Sequence, residues 1–165
     1  MLLSVNIFSQ DISRNTIFAE ASGVTLFYSV NYERLLFKSN NVNLGIRGGF
    51  AFVPAILGFE SGVQIPISLS LIKNIINNHF LEIRAGLSNS FYIYEDWYGR
   101  PLGDTTNSFV APIKLGIGFL PSIGIGYRYQ PKTKGVFFNF LAQRTPLIND
   151  EYWHVNFSLG LGYAF

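Results

Sequence analysis

The chain has 165 residues, of which 48% are hydrophobic, 16% aromatic and only 13% charged, with a net charge of +2 and no cysteine. That length supports one domain, and the charged fraction is half of the quarter or so usual in soluble domains. A disulfide framework and a thiolate metal site are excluded, and so small a net charge with no basic stripe argues against nucleic acid as a partner.

The apolar residues are dispersed. The longest run, Gly48 to Phe59, contains Pro54 and is shorter than the roughly 20 residues of a membrane helix. High apolar content without a spanning helix leaves a greasy soluble protein or a membrane β-barrel. An open sheet is excluded from lipid because its edges stay unpaired.

Met1 to Gln10 reads as the tail of a secretory signal without its positive start, or else as a buried N-terminal segment. Residues 11–165 read as a single barrel domain. Alternation dominates from there on, and no long helical period appears. Asp11 to Ala21 is the first and weakest strand, with a turn near Ser22-Gly23. Val24 to Leu36 follows, with Val24, Leu26, Tyr28, Val30 and Tyr32 outward. Thr25, Ser29, Asn31 and Glu33 point inward, and Phe27 breaks the pattern.

Lys38 to Asn41 is a tight polar turn. Val42 to Val53 then sets Val42, Leu44, Ile46, Phe50 and Phe52 against Asn43, Gly45, Arg47, Gly49 and Ala51. Pro54 to Ser61 is a loop. Gly62 to Ile72 sets Val63, Ile65, Ile67, Leu69 and Leu71 against Gln64, Pro66, Ser68 and Ser70. Pro66 removes a ladder donor, so a local bulge is expected there. Lys73 to Asn78 reads as a polar turn.

His79 to Tyr94 carries Leu81, Ile83, Ala85, Leu87, Phe91 and Ile93 outward, with Glu82, Arg84, Gly86, Ser88 and Ser90 inward. Glu95 to Ser108 is the longest loop. Phe109 to Gln130 alternates throughout, with Lys114, Gly116, Gly118, Ser122, Gly124, Gly126 and Arg128 inward. It exceeds the 9–11 or so residues that cross a bilayer, so its first half, with Pro112 and Pro121, is expected to protrude or bend. After a turn at Pro131 to Gly135, Val136 to Leu147 puts Val136, Phe138, Phe140 and Ala142 outward, with Asn139 and Gln143 inward.

The last strand is the clearest. From Trp153 to Phe165 the odd positions are Trp, Val, Phe, Leu, Leu, Tyr and Phe, and the even ones are His, Asn, Ser, Gly, Gly and Ala. A strand's side chains alternate between two faces. One face is therefore large and apolar, and the other small or polar. The second face is too glycine-rich for an ordinary wetted surface. Apolar side chains outward to lipid and small polar ones inward fit a membrane barrel. A soluble lipocalin-type barrel needs the reverse facing.

The prediction is an all-β, eight-stranded antiparallel transmembrane up-and-down β-barrel. Short turns at one end alternate with looser loops at the other, as in barrels with periplasmic turns and external loops. Tyr32, Tyr127, Tyr129, Tyr163 and Phe165 gather at the tight-turn end, and Phe52, Phe91, Phe109 and Trp153 at the loop end. These make two aromatic girdles.

The chain resembles the small eight-stranded outer-membrane β-barrels of Gram-negative bacteria, porin-like barrels among them. The likeness rests on Tyr28-Ser29-Val30-Asn31-Tyr32-Glu33-Arg34-Leu35-Leu36, on Ile125-Gly126-Tyr127-Arg128-Tyr129-Gln130-Pro131 and on the Leu161-Gly162-Tyr163-Ala164-Phe165 end, and it spans roughly Asn15 to Phe165. It speaks to architecture, because the group is functionally diverse. It implies an outer-membrane location and a signal peptide. It also implies that Phe157, Leu159, Leu161, Tyr163 and Phe165 form the assembly signal read by the barrel-insertion machinery.

Five inward charges, Glu33, Arg47, Glu82, Arg84 and Arg128, fall toward the tight-turn end. Buried charges must be paired, and eight strands leave a lumen just filled by side chains. A structural ion-pair network is therefore expected in preference to an ion-selective path. Inward glycines at 116, 118, 124, 126, 160 and 162 are expected to make room for the long side chains. Gly116-Ile117-Gly118 and Gly124-Ile125-Gly126 lie inside strands, where a nucleotide loop cannot form.

His154 and Ser158 share the inward face but stand about 13 Å apart along a strand. A catalytic pair needs contact, so only Ser90 or Ser108 from other strands could meet His154. A rim histidine is the simpler reading. His79 opens a strand at the tight-turn end. Trp97, Tyr98 and Arg100 in the long loop are the candidate contacts, since exposed Trp, Tyr and Arg anchor interfaces, although an aromatic rim explains them as well.

No catalytic, cofactor or metal residue is expected. The expected partners are membrane lipid, the insertion machinery and an extracellular ligand or protein. The expected role is non-enzymatic: structural, or surface binding through the loops. A solute or hydrophobic-ligand conduit and a lipid-modifying enzyme are the alternatives. Bilayer conductance would favour the first, and lost lipid turnover in a His154→Ala variant the second.

Overall fold

A computed structural model describes residues 12–22, 28–39, 41–53, 62–95, 113–146 and 153–165. Eight antiparallel strands close into an up-and-down barrel: β1 Asn15–Ala21, β2 Tyr28–Phe37, β3 Val42–Val53, β4 Gly62–Ile76, β5 His79–Glu95, β6 Ile113–Tyr129, β7 Gly135–Pro146 and β8 Trp153–Ala164. The wall closes where β1 pairs with β8, from Thr16↔Ala164 to Ala21↔Leu159. Closure removes both sheet edges, which is the condition for strands to sit in hydrocarbon.

The alternation sets the facing. Along β2, Tyr28, Val30 and Tyr32 are exposed, while Ser29, Asn31 and Glu33 are buried. Along β8, Val155, Phe157, Leu159, Leu161, Tyr163 and Phe165 are exposed and Ser158 and Ala164 buried. Large apolar side chains cover the outside, and polar ones fill the inside. That is the inverse of a soluble barrel.

Three expectations change. The segment from Lys73 is not a turn. β4 runs on to Ile76, and the connection to β5 shrinks to Asn77-Asn78. Asn77 has φ 50°, in the left-handed region that Asn tolerates better than most residues. Lys73 and Asn74 alternate like strand residues, and the polar character that suggested a turn belongs to a strand end.

Pro66 makes no bulge. It pairs with Ser88 in unbroken register, and the β3–β4 register is the same at Gly48↔Ile67 and Ala51↔Gln64. The pairing only skips Gly49 and Phe50, which absorbs the missing donor without adding a residue. Pro121 does not bend β6, which follows β5 from His79↔Tyr129 to Glu95↔Ile113. Pairing with β7, however, stops at Ile123↔Arg144. The upper half of β6 therefore stands above β7, against β5 alone among the described residues. Residues 1–10, Val24 to Phe27 and Pro112 lie outside the described residues.

Candidate functional site

The lumen holds the densest chemistry. β1 places Glu20 inward, β2 Glu33, β3 Arg47, β5 both Glu82 and Arg84, and β6 Arg128. None of the six is more than 3% exposed. They form one alternating chain. Arg47 pairs with Glu20. Arg84 Nη1 donates to Glu20 at 3.2 Å, and its Nη2 donates to Glu82 Oε1 at 2.6 Å. Arg128 Nη1 reaches Glu82 Oε2 at 3.5 Å, and its Nη2 donates to Glu33 Oε1 at 2.5 Å. Ser70 Oγ donates to Glu33 Oε2 at 3.2 Å. Three arginines and three glutamates leave no net charge.

All five charges singled out in the sequence thus come together. Glu20 was missed, and it links Arg47 to Arg84. The signal was there in Thr16, Phe18 and Glu20 alternating with Ile17, Ala19 and Ala21. An inward Phe18 and two outward alanines blur that contrast.

The charges rest on an apolar floor at the tight-turn end. Ile12, Leu35, Ile72 and Phe80 form one buried cluster, and Phe18, Phe137 and Ala164 another. The Arg47 guanidinium lies 4.4 Å over the Phe18 ring and that of Arg128 4.7 Å over Phe137. Aromatic faces thus take up cation charge at these buried positions. Toward the loops the lining changes to Ser68, Ser88, Ser90, Ser122, Gln143, Thr145 and Ser158, all buried. The lumen is filled by side chains across the charge layer, as eight strands dictate.

The inward glycines act differently from expectation. At Gly160 a Cβ would meet the Asn139 amide and Phe18, and at Gly162 it would meet Phe18 and the Ile17 carbonyl. Gly124 faces Gln143, and Gly126 faces the backbone at Phe140 and Leu141. These four let neighbouring strands and Phe18 approach. The glycine beside a charge is Gly45, whose Cβ would lie 3.3 Å from Glu33 Cδ. Gly162→Ala should therefore weaken the β1–β8 seam by about 1–3 kcal/mol, the usual range for overpacking. Gly48→Ala, with nothing within 4 Å, should leave the midpoint of urea unfolding in lipid unchanged.

On the outside, Arg34 and Lys73 at the tight-turn end and Arg144 toward the loops are exposed and bracket the apolar band. Long cationic side chains at such levels reach past hydrocarbon to headgroups. His79 joins the tight-turn girdle: its Nδ1 is hydrogen-bonded to the Tyr127 hydroxyl at 2.6 Å, with its ring 5.5 Å from that of Tyr129. Phe157, Leu159, Leu161, Tyr163 and Phe165 all lie on the outward face of β8.

Ser90 Oγ accepts from Gln64 Nε2 at 3.0 Å. In register His154 stands opposite Thr145. Ser108, Trp97, Tyr98 and Arg100 lie outside the described residues. Among the described residues no group of three or more His, Asp or Glu is placed to hold a metal.

No protein-family model matches the chain, and no curated protein matches it. Among solved structures, the N-terminal β-barrel domain of Pseudomonas aeruginosa OprF is similar with a TM-score of 0.56 and 14% identity, over 94% of this chain and 98% of that one. At that identity the likeness concerns the fold, and this chain has an outer-membrane-type eight-stranded β-barrel fold.

Proposed function

We propose that this chain is a non-enzymatic integral protein of a Gram-negative outer membrane, acting in membrane structure and in surface binding through its loops rather than as a conduit. The observation that carries this is the lumen. Six charged side chains, none more than 3% exposed, are linked by ion pairs into one neutral chain across the lumen, with buried apolar clusters at the tight-turn end. A conducting pore needs a hydrated lining along its length. The outward apolar band supports residence in lipid, and the outward face of β8 suits recognition by the insertion machinery during assembly. Trp97, Tyr98 and Arg100 are the residues proposed to contact an extracellular ligand or protein.

The test is conductance. Purified chain is folded in detergent, and unboiled and boiled samples are compared on an SDS gel, where a closed barrel changes position. The folded form is then inserted into planar bilayers. Silence is the expected result. Steady channels would replace this reading with the conduit.

A further inference from the structure

At the tight-turn end the N-terminal residues 12–14 cross beneath the wall and are held there. Leu35 N donates to Arg14 O at 2.8 Å, and Asn15 N donates to Phe165 O at 3.0 Å. Gln130 Nε2 donates to Ser13 O at 2.6 Å, and Ser13 Oγ donates to Thr133 O at 2.5 Å. The segment is thus bound to β2 and to the β6–β7 turn, and Asn15, next in the chain, is bound to Phe165. Between them opens a groove of about 500 Å³, lined by Ile12, Arg14, Lys38, Lys132, Lys134 and Phe165 among others. Arg14, Lys132 and Lys134 are exposed cations on its walls. Among the described residues no acidic side chain lines it.

The groove belongs to a wider asymmetry. Arg14, Arg34, Lys38, Lys73, Lys132 and Lys134 all sit at the tight-turn end. The acidic residues outside the lumen are, apart from Asp11, Glu60, Glu95, Asp96, Asp104, Asp150 and Glu151, which the sequence places at or between the loop-end strand termini. By sequence the loop end has those six acidic residues against Arg100, Lys114 and Arg144, and the tight-turn end has six basic residues against Asp11. The ion pairs in the lumen do not alter this, because they are neutral.

We infer that this groove is a binding site for the phosphodiester headgroup of an anionic phospholipid in the leaflet at the tight-turn end. The inference rests on the membrane reading above. Phosphate is the anion that clustered Lys and Arg recognise next to a membrane. A lipid rather than a free phosphate is indicated by Phe165. It lines the groove and is exposed on the outward side of β8, beside exposed Tyr163, Leu161 and Ile17. The groove is thus continuous with the apolar wall, so a headgroup held by Arg14, Lys132 and Lys134 has its acyl chains laid along β8 and β1.

The test uses the whole chain in phosphatidylcholine nanodiscs doped with phosphatidylglycerol. The lipids retained after transfer to detergent are counted by native mass spectrometry. Attraction of about 1 kcal/mol per basic residue implies a preference for phosphatidylglycerol of tenfold to a hundredfold, in order of magnitude. The triple variant Arg14→Gln, Lys132→Gln, Lys134→Gln should retain the two lipids about equally, while Arg144→Gln on the opposite end of the wall should keep the full preference. No preference in the native chain, or an undiminished one in the triple variant, overturns the site. Displacement of the retained lipid by equimolar glycerol phosphate overturns the lipid assignment. The unboiled gel shift is read on the same samples, so a chain that fails to form a barrel at all is seen separately and brings down the membrane reading with the site.

Discussion

Arg84→Met destabilises the barrel by about 3–5 kcal/mol, the cost of removing one partner from a buried ion pair. Arg84 touches two of the three lumen glutamates, Glu82 through Nε and Nη2 and Glu20 through Nη1. Without it three carboxylates face two guanidiniums in a lumen where none of the five side chains is more than 3% exposed. The double variant Glu82→Gln, Arg84→Met keeps side-chain volume and restores neutrality with Arg47, Arg128, Glu20 and Glu33. Its loss should be well below that of the single variant, because the penalty comes from the unpaired charge and not from the missing contact. The midpoint of urea unfolding in lipid vesicles, followed by the unboiled gel band, measures both. A single variant within about 1 kcal/mol of the native chain would mean that water reaches Glu82, and that the lumen is not sealed.

Ile67→Arg carries the second large effect. Ile67 is the central outward residue of β4 between Val63 and Leu71, and it is 50% exposed. On a soluble protein an arginine there would be close to neutral, or an improvement. At the middle of a bilayer it costs about 2–4 kcal/mol. The same substitution at Lys73, where the wall already carries a cation at the end of the band, should cost almost nothing. Unfolding in vesicles reads the difference. Equal midpoints for the two variants would mean that the outward face is not in hydrocarbon.

Much of the barrel was legible because alternation is a local property. Ser29-Val30-Asn31-Tyr32-Glu33 and the whole of β8 assign their own faces from residue type alone. The inward charges were legible for the same reason: a strand with Glu82 and Arg84 two apart must put both on one side. Loop lengths were less so. Lys73 and Asn74 look like turn residues, and only the pairing of Lys73 with Val42 and Leu81 makes them strand. The bulge expected at Pro66 follows from the ladder bond that a proline costs. Whether that bond was needed depends on the neighbouring strand, which the sequence of one strand cannot show.

What the chain's own order of residues determined, then, is the set of strands, their two faces and the reversal of the usual soluble pattern, since each follows from a period of two and from side-chain polarity. What only the tertiary structure decided is who meets whom. Glu20 entered the charge network through the offset between β1 and its neighbours. The glycines of β8 proved to serve the approach of Phe18 rather than the arginines. Arg14 came to line one groove with Lys132 and Lys134 although more than a hundred residues separate them. Such meetings depend on strand register and barrel closure, which are set by the sum of all pairings at once and are not carried by any single stretch.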